Sequence, residues 1–348
     1  MIAVTGATGH IGNVLVRQLC AMGETVRAVV PPFESPAILD GLGVDIFRGD
    51  VTKPGDMLRA CAGADTVFHL AGIIAIDESQ REQMERVNVG GAANVLSACR
   101  ACHVRRLVYV SSIHAFIDPP QNIEIDENTA IDPEEVLGAY AVTKAKAARQ
   151  VLAAASDGMD IVIVHPTGVI GPYDSLISHT GQMIRDYLAG RYLRCFFRGA
   201  YDFVDVRDVV QGLILAWRKG RAGQNYILSG SRVTIRELFS QLSEVTGKRT
   251  PAVCLPLWLV RLVIPFERLR CRIRRIKPSI TRYSLRVLLS NSHVSRQKAA
   301  AELGYRPRPI RDTLADTVTW LAGQKKNAFA IRKHAKKRRI HKKLHGSD

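Results

Sequence analysis

Thr5-Gly6-Ala7-Thr8-Gly9-His10-Ile11-Gly12 follows the apolar run Ile2–Val4 and opens a stretch in which Ile11, Val14, Leu15, Leu19 and Met22 recur at i, i+3, i+4 spacing until Gly23. Strand, glycine-rich turn and helix form the context that a dinucleotide-binding loop requires. One glycine permits the tight turn, one lets the backbone approach a pyrophosphate, and one lets the helix pack on the strand. The helix N-terminus then offers free N–H groups and a favourable dipole to the phosphates. Outward from this loop, short Val- and Ile-rich runs at Val26–Val30, Val44–Phe47, Thr66–Leu70, Leu107–Val110 and Ile161–Val164 lack polar alternation. They read as strands buried on both faces, separated by helical patterns, which predicts an α/β, doubly wound parallel sheet with helices on both faces. After Pro166 the rhythm loosens. Asn225–Ser229 reads as a strand able to rejoin the sheet, Thr234 and Glu237 form a capping-box pattern for a helix to Thr246, and further helices are predicted near Ser295–Leu303 and Arg311–Leu321. The layout expected is a nucleotide-binding domain over 1–165, a smaller and mainly substrate-binding domain over 166–323, and a solvated basic tail over 324–348.

Composition agrees with a folded globule. Of 348 residues, 47% are hydrophobic and 23% charged, which excludes disordered and fibrous classes for the bulk of the chain. The net charge of +17 is concentrated in two places. Trp258–Arg282 carries eight Lys or Arg and one Glu, and Lys325–Asp348 carries ten and one Asp, so the remainder is close to neutral. The apolar segment Leu255–Phe266, broken by Arg261 and two prolines, is too short to span a membrane. With the arginines after it and the basic tail, it predicts peripheral contact with anionic lipid. A purely solubilising tail is the simpler alternative, and nucleic acid fits poorly because Phe329 is the only aromatic residue in the tail. Seven cysteines, an odd number without a paired framework or a leader ahead of them, predict a reducing, cytoplasmic setting. Cys99 and Cys102 sit in a helical pattern and read as small apolar residues.

Further motifs line up along the chain in a fixed order: His69-Leu70-Ala71-Gly72, Val110-Ser111-Ser112, Tyr140-Ala-Val-Thr-Lys144, His165-Pro166-Thr167-Gly168-Val169-Ile-Gly-Pro172 and Phe203-Val-Asp-Val-Arg-Asp208. With the GxxGxxG spacing, they resemble the extended short-chain dehydrogenase/reductase superfamily. The resemblance runs from about Ile2 to Leu321 and is nearest the branch of dihydroflavonol reductases, 3β-hydroxysteroid dehydrogenases and sugar epimerase-like proteins. Tyr140 and Lys144 lie one helical turn apart on one face. A nearby ammonium and a positive nicotinamide ring would favour the phenolate of a tyrosine whose ordinary pKa is near 10. Ser112, at a strand's carboxyl end, is positioned to hold a substrate oxygen; Ser111 is the alternative. No GxSxG surrounds either serine, and His69, His114, His165 and His179 lack metal-ligand spacing, so they read as core or site-lining imidazoles.

The resemblance implies that Gly6, Thr8, Gly9, His10, Ile11 and Gly12 hold the pyrophosphate. It places Asp50 and Val51 at the adenine, and Leu70, Ala71, Gly72, Pro166, Gly168 and Val169 along the rest of the cofactor. Lys144 would bond the nicotinamide ribose, with Asn88 behind the site. The second predicted strand ends without the acid that marks NAD, and Arg27 resembles the arginine that contacts a 2′-phosphate, so NADP(H) is favoured over NAD(H). The implied activity is NAD(P)-dependent hydride transfer to or from a ketone or secondary alcohol. The segment Leu255–Phe266 suits a lipophilic substrate. A nucleotide-sugar epimerase or dehydratase with tightly held NAD is the alternative, weakened by Gly168 and Ile170 where such enzymes carry Asn and Tyr. A non-catalytic scaffold binding nucleotide or nucleic acid needs none of Ser112, Tyr140 and Lys144. A homodimer is a further expectation of the resemblance.

Overall fold

The runs that lack polar alternation form the centre of the molecule. In the structure, a computed structural model describing residues 1–75, 78–190, 195–197, 199–250, 253–256 and 287–324, the first six strands are β1 (Ile2–Thr5), β2 (Val26–Val30), β3 (Asp45–Arg48), β4 (Thr66–His69), β5 (Arg106–Val110) and β6 (Ile161–Pro166). Every residue of β1, β4 and β6 is buried. β3 is an edge strand and mostly exposed, so burial on both faces does not extend to it. The connecting helices are α1 (His10–Ala21), α2 (Pro54–Cys61), α3 (Arg81–Met84), α4 (Gly91–Ala101) and α5 (Ala139–Ser156); a π-helical turn, Glu85–Gly90, joins α3 to α4.

The chain then adds β7 (Gly168–Ile170), α6 (His179–Leu188), β8 (Cys195–Phe197), β9 (Ala200–Asp205), α7 (Val206–Lys219), β10 (Asn225–Leu228), β11 (Ser231–Thr234), α8 (Ile235–Thr246) and β12 (Val253–Leu255). The main sheet has seven parallel strands in the order β10-β6-β5-β4-β1-β2-β3. The chain reverses direction across the sheet at β1, between β4 and β2. Ligands of such sheets bind beyond the carboxyl ends of the strands at this switch. Side chains alternate between faces: Ile2 and Val4 pack with α1 and α7, whereas Ala3 and Val67 pack with α2, α4 and α5.

β10 rejoins the sheet beside β6, as its sequence suggested. A single boundary at residue 165 does not describe the result, because α7, β10, Leu303 and Tyr305 all share the core of α1. What remains of the second half forms a small lobe on β11-β9-β7 and the parallel pair β12-β8, packed with α6, α8 and a last helix over 310–324. The predicted capping box of α8 is present, with Thr234 and Glu237 each bonding the other's backbone N–H and Gly247 closing the helix in the left-handed conformation. Cys61 and Cys99 are buried in one apolar cluster, while Cys102 is half-buried and reaches the Leu58 carbonyl. No helix among the described residues is long and apolar enough to cross a membrane. Apart from Pro256, and the backbone of Cys254 and Leu255 in β12, the apolar segment and both basic stretches read for lipid contact lie outside the described residues.

Candidate active site

The glycine-rich loop at the end of β1 has the geometry that its spacing implies. Gly6 lies in the left-handed region (φ 69°), and a Cβ there would fall 2.8 Å from the Ala71 nitrogen. A Cβ on Gly12 would fall 2.0 Å from the Gly6 oxygen, so α1 can seat on the loop only through a glycine. Gly9 caps α1 without any side-chain partner, which leaves the first N–H groups of the helix to a ligand. His10 Nε2 lies 2.9 Å from the Pro172 carbonyl oxygen, and Asn13 Nδ2 donates to the Tyr173 carbonyl at 3.2 Å. The half-buried Ile11 packs against the core under α1.

At the neighbouring strand end, the N–H groups of Leu70 and Ala71 bond the Thr5 carbonyl and hydroxyl. Gly72 faces Asn88 and Lys144, a Cβ there falling 3.2 Å from Asn88 Oδ1 and 3.8 Å from Lys144 Nζ. Asn88, on the π-helical turn, accepts from the Ile73 N–H (2.8 Å) and donates to the Ile73 carbonyl (3.1 Å) and the Thr143 hydroxyl (3.0 Å). It therefore ties the loop after β4 to the catalytic-type helix α5, one residue short of Lys144. π-turns of this kind recur at functional sites.

Tyr140 is the second residue of α5, close to the positive end of the helix dipole, and the Ser112 hydroxyl is near enough to its phenol to favour the phenolate. Lys144 Nζ donates to the Val110 carbonyl at 2.9 Å and lies 5.4 Å from the Tyr109 ring centroid. Ser112 also accepts from the His114 N–H, whereas the buried Ser111 hydroxyl has no partner among the described residues. One expectation needs correction. Burial pushes Tyr140 up to about 12 and Lys144 down to about 8, with only the Ser112 contact opposing the rise at Tyr140. Within the protein alone desolvation outweighs the Ser112 contact, so the positive nicotinamide ring would have to supply the charge that favours the phenolate.

The Lys144 shift has a stability consequence. A lysine whose folded pKa is depressed destabilises the fold fully below that pKa, and the penalty fades as pH rises toward the unfolded value of 10.5. Lys144→Met is expected to raise ligand-free stability by up to about 3 kcal/mol at neutral pH. The gain should shrink between pH 8 and 10.5, as followed by urea unfolding. A gain that stayed constant or grew with pH would contradict the depressed pKa.

Arg27 is a second correction. It is the second residue of β2, away from the carboxyl edge, and its Nε bonds Asp45 on the paired strand at 2.7 Å. Its Nη1 reaches the carbonyls of Ala60 (3.2 Å) and Ala62 (3.0 Å) at the end of α2. Its guanidinium is thus occupied by Asp45 and by backbone carbonyls. Glu34, which the sequence reading missed, does stand near this edge. It lies four residues past β2, and its carboxylate accepts from the Thr8 hydroxyl of the glycine-rich loop. Arg48 donates to the carbonyls of Pro31 (3.2 Å) and Glu34 (2.6 Å), fixing that turn. Asp50 lies beyond β3 and holds the Thr52 N–H and hydroxyl through one oxygen. Val51 is buried under the start of α4 and takes an Asn94 bond on its carbonyl. Pro166 ends β6 opposite Leu228, and Gly168 and Val169 pair in β7 with Phe203 and Val204.

Beside Tyr140 opens a cavity walled by Ile113, Phe116, Ile125, Val136, Leu137 and Val294, with His114, Thr167, Tyr201 and Asp202 toward β9. Burial raises the Asp202 pKa, opposed by the Thr167 hydroxyl at 2.6 Å and the Gly230 N–H at 2.8 Å. His69 and His165 are fully buried behind the site, and desolvation pushes each down to about 3, so both are neutral.

The glycine cradle and uncapped helix suit a dinucleotide, and known proteins bear the family out. Residues 2–229 match the model of the NAD dependent epimerase/dehydratase family. Sterol demethylase protein B of Methylococcus capsulatus is 36% identical over 321 residues, covering 91% of this chain and 97% of that protein. The 3 beta-hydroxysteroid dehydrogenase/Delta 5-->4-isomerase of Mycobacterium tuberculosis is 29% identical over 323 residues, covering 88% and 86%. Among solved structures, gox2253 superposes with a TM-score of 0.82 at 30% identity, covering 93% of this chain and 98% of that one. The chain belongs to the NAD dependent epimerase/dehydratase family and is an oxidoreductase of the extended short-chain dehydrogenase/reductase type.

Proposed function

We propose that the protein transfers a hydride between NAD(H) and a lipophilic ketone or secondary alcohol, with Tyr140 exchanging the proton on the substrate oxygen. The carrying observation is the placement of Ser112 and Tyr140 on either side of His114, which lines a cavity with a mainly apolar wall. Ser112 holds the substrate oxygen and steers it to the phenol. Lys144, fixed by the Val110 carbonyl beside Gly72, places a positive charge behind the proton exchange and would bond the nicotinamide ribose. The nicotinamide supplies or accepts the hydride. The glycine-rich loop and the first turn of α1 hold the pyrophosphate, and Asn88 keeps α5 and the loop after β4 in register. The sterol and steroid substrates named for two relatives support a lipophilic one here.

The cofactor reading moves from NADP(H) to NAD(H). Arg27 is occupied elsewhere, and the Glu34 carboxylate at the glycine-rich loop would accept from ribose hydroxyls and repel a 2′-phosphate. Fluorescence titration should find NADH bound at least about tenfold more tightly than NADPH, with Glu34→Ala costing about tenfold for NADH, as expected for a charge-assisted bond. NAD-dependent oxidation of a hydroxysteroid or a long-chain secondary alcohol completes the test. Tighter NADPH binding would overturn the cofactor assignment. Epimerisation of UDP-glucose by protein purified with stoichiometric NAD would overturn the oxidoreductase cycle with a free cofactor in favour of the epimerase.

A further inference from the structure

We propose that His114 and Tyr201 form a second hydrogen-bonding station in the substrate cavity, reading an oxygen acceptor that the substrate carries a few bonds from its reacting carbonyl. This deepens the reading above and rests on Tyr140 as the proton-exchanging group. His114 lies two residues past Ser112, whose hydroxyl caps the short turn Ile113–Ala115. Its ring stands edge-on to Tyr140 with centroids 6.0 Å apart and stacks on Tyr201, also at 6.0 Å. The Tyr201 hydroxyl lies 2.8 Å from His114 Nε2.

Tyr201 comes from β9, 87 residues further along, and room for it has been made. A Cβ on Gly168 would fall 2.5 Å from Tyr201 Cε1, so any larger residue at 168 displaces that ring. Three elements thus converge on one hydrogen bond in the cavity wall. Burial pushes His114 down to about 4, which leaves a neutral ring with one N–H and one lone pair. When Tyr201 donates to Nε2, the proton of His114 sits on Nδ1, and His114 lines the cavity. A neutral N–H in a largely apolar cavity selects an oxygen acceptor such as an ester or a second carbonyl. A substrate lacking that oxygen leaves the N–H unpaired, and discrimination of this kind is stronger than discrimination by shape alone.

The test compares a long-chain methyl ketone with the β-keto ester of the same chain length. Binding is measured by calorimetry on the full chain saturated with NAD+, which has no hydride to give, so both ligands bind without reacting. The wild type should bind the keto ester about tenfold more tightly. His114→Phe should close that gap to within about twofold, and Gly168→Ala, which pushes Tyr201 off the imidazole, should narrow it to about threefold. No gap in the wild type, a gap that survives His114→Phe, or no binding of either ligand would each overturn the station. Retention of the gap in a protein that cannot reduce either ketone with NADH would instead sink the oxidoreductase reading and leave the station standing.

Discussion

Tyr140→Phe should lower kcat by about two to four orders of magnitude, the range a positioned acid–base group contributes, while binding of NADH changes little. The substitution removes one oxygen and keeps the ring that packs edge-on to His114. Ser112 then loses its phenol partner but keeps the His114 N–H, so the turn after β5 stays capped. Lys144 keeps its bond to the Val110 carbonyl, so the ribose side of the site is intact. The loss therefore falls on the chemical step, and a KM for ketone near that of the wild type should accompany it. Stopped-flow loss of NADH absorbance separates the two quantities. Turnover within about tenfold of the wild type would remove Tyr140 from proton exchange.

Gly12→Ala should cost both cofactor affinity and stability. Its Cβ would overlap the Gly6 oxygen, and both neighbours are backbone, so relief requires α1 to lift or the loop to open. Overpacking of this kind typically costs about 1–3 kcal/mol. Either movement carries the first N–H groups of α1 off the pyrophosphate, so NADH affinity should fall by about a hundredfold or more. Gly9→Ala separates the effects, because its Cβ would lie 3.2 Å from the same oxygen at an ordinary φ of −67°. That variant should unfold near the wild-type urea midpoint yet bind NADH weakly, the methyl group standing at the mouth of the uncapped helix. Wild-type affinity in Gly12→Ala would show that the loop is not the phosphate site.

Local pattern made most of the frame legible. Buried parallel strands declare themselves as unbroken Val and Ile runs, and the glycine loop, Tyr140 and Lys144 are set by spacing within single elements. What escaped depends on partners remote in sequence. Arg27 looks available until Asp45 is placed opposite it on the next strand. Glu34 hides behind Pro31 and Pro32, and only the folded turn brings it against Thr8. The His114–Tyr201 pair needed β9 to be set beside β7, and the one local hint was a glycine at 168 where sugar epimerases carry Asn. The desolvation of Tyr140 escaped for a related reason: residue spacing counts charges but does not show how much water the folded helix excludes.

The bonds from His10 and Asn13 to the backbone of Pro172 and Tyr173 have a kinetic meaning. The helix turn that meets the phosphates also grips the segment following β7, and β7 with β9 carries Thr167, Tyr201 and Asp202 into the substrate cavity. A nucleotide seated on that turn stiffens the far wall of the cavity before any ketone arrives. A ketone arriving first meets a looser wall and gains less from it. Product-inhibition kinetics are accordingly expected to show an ordered sequence, in which the nucleotide enters first and leaves last and the carbonyl compound exchanges on a scaffold the nucleotide has already braced.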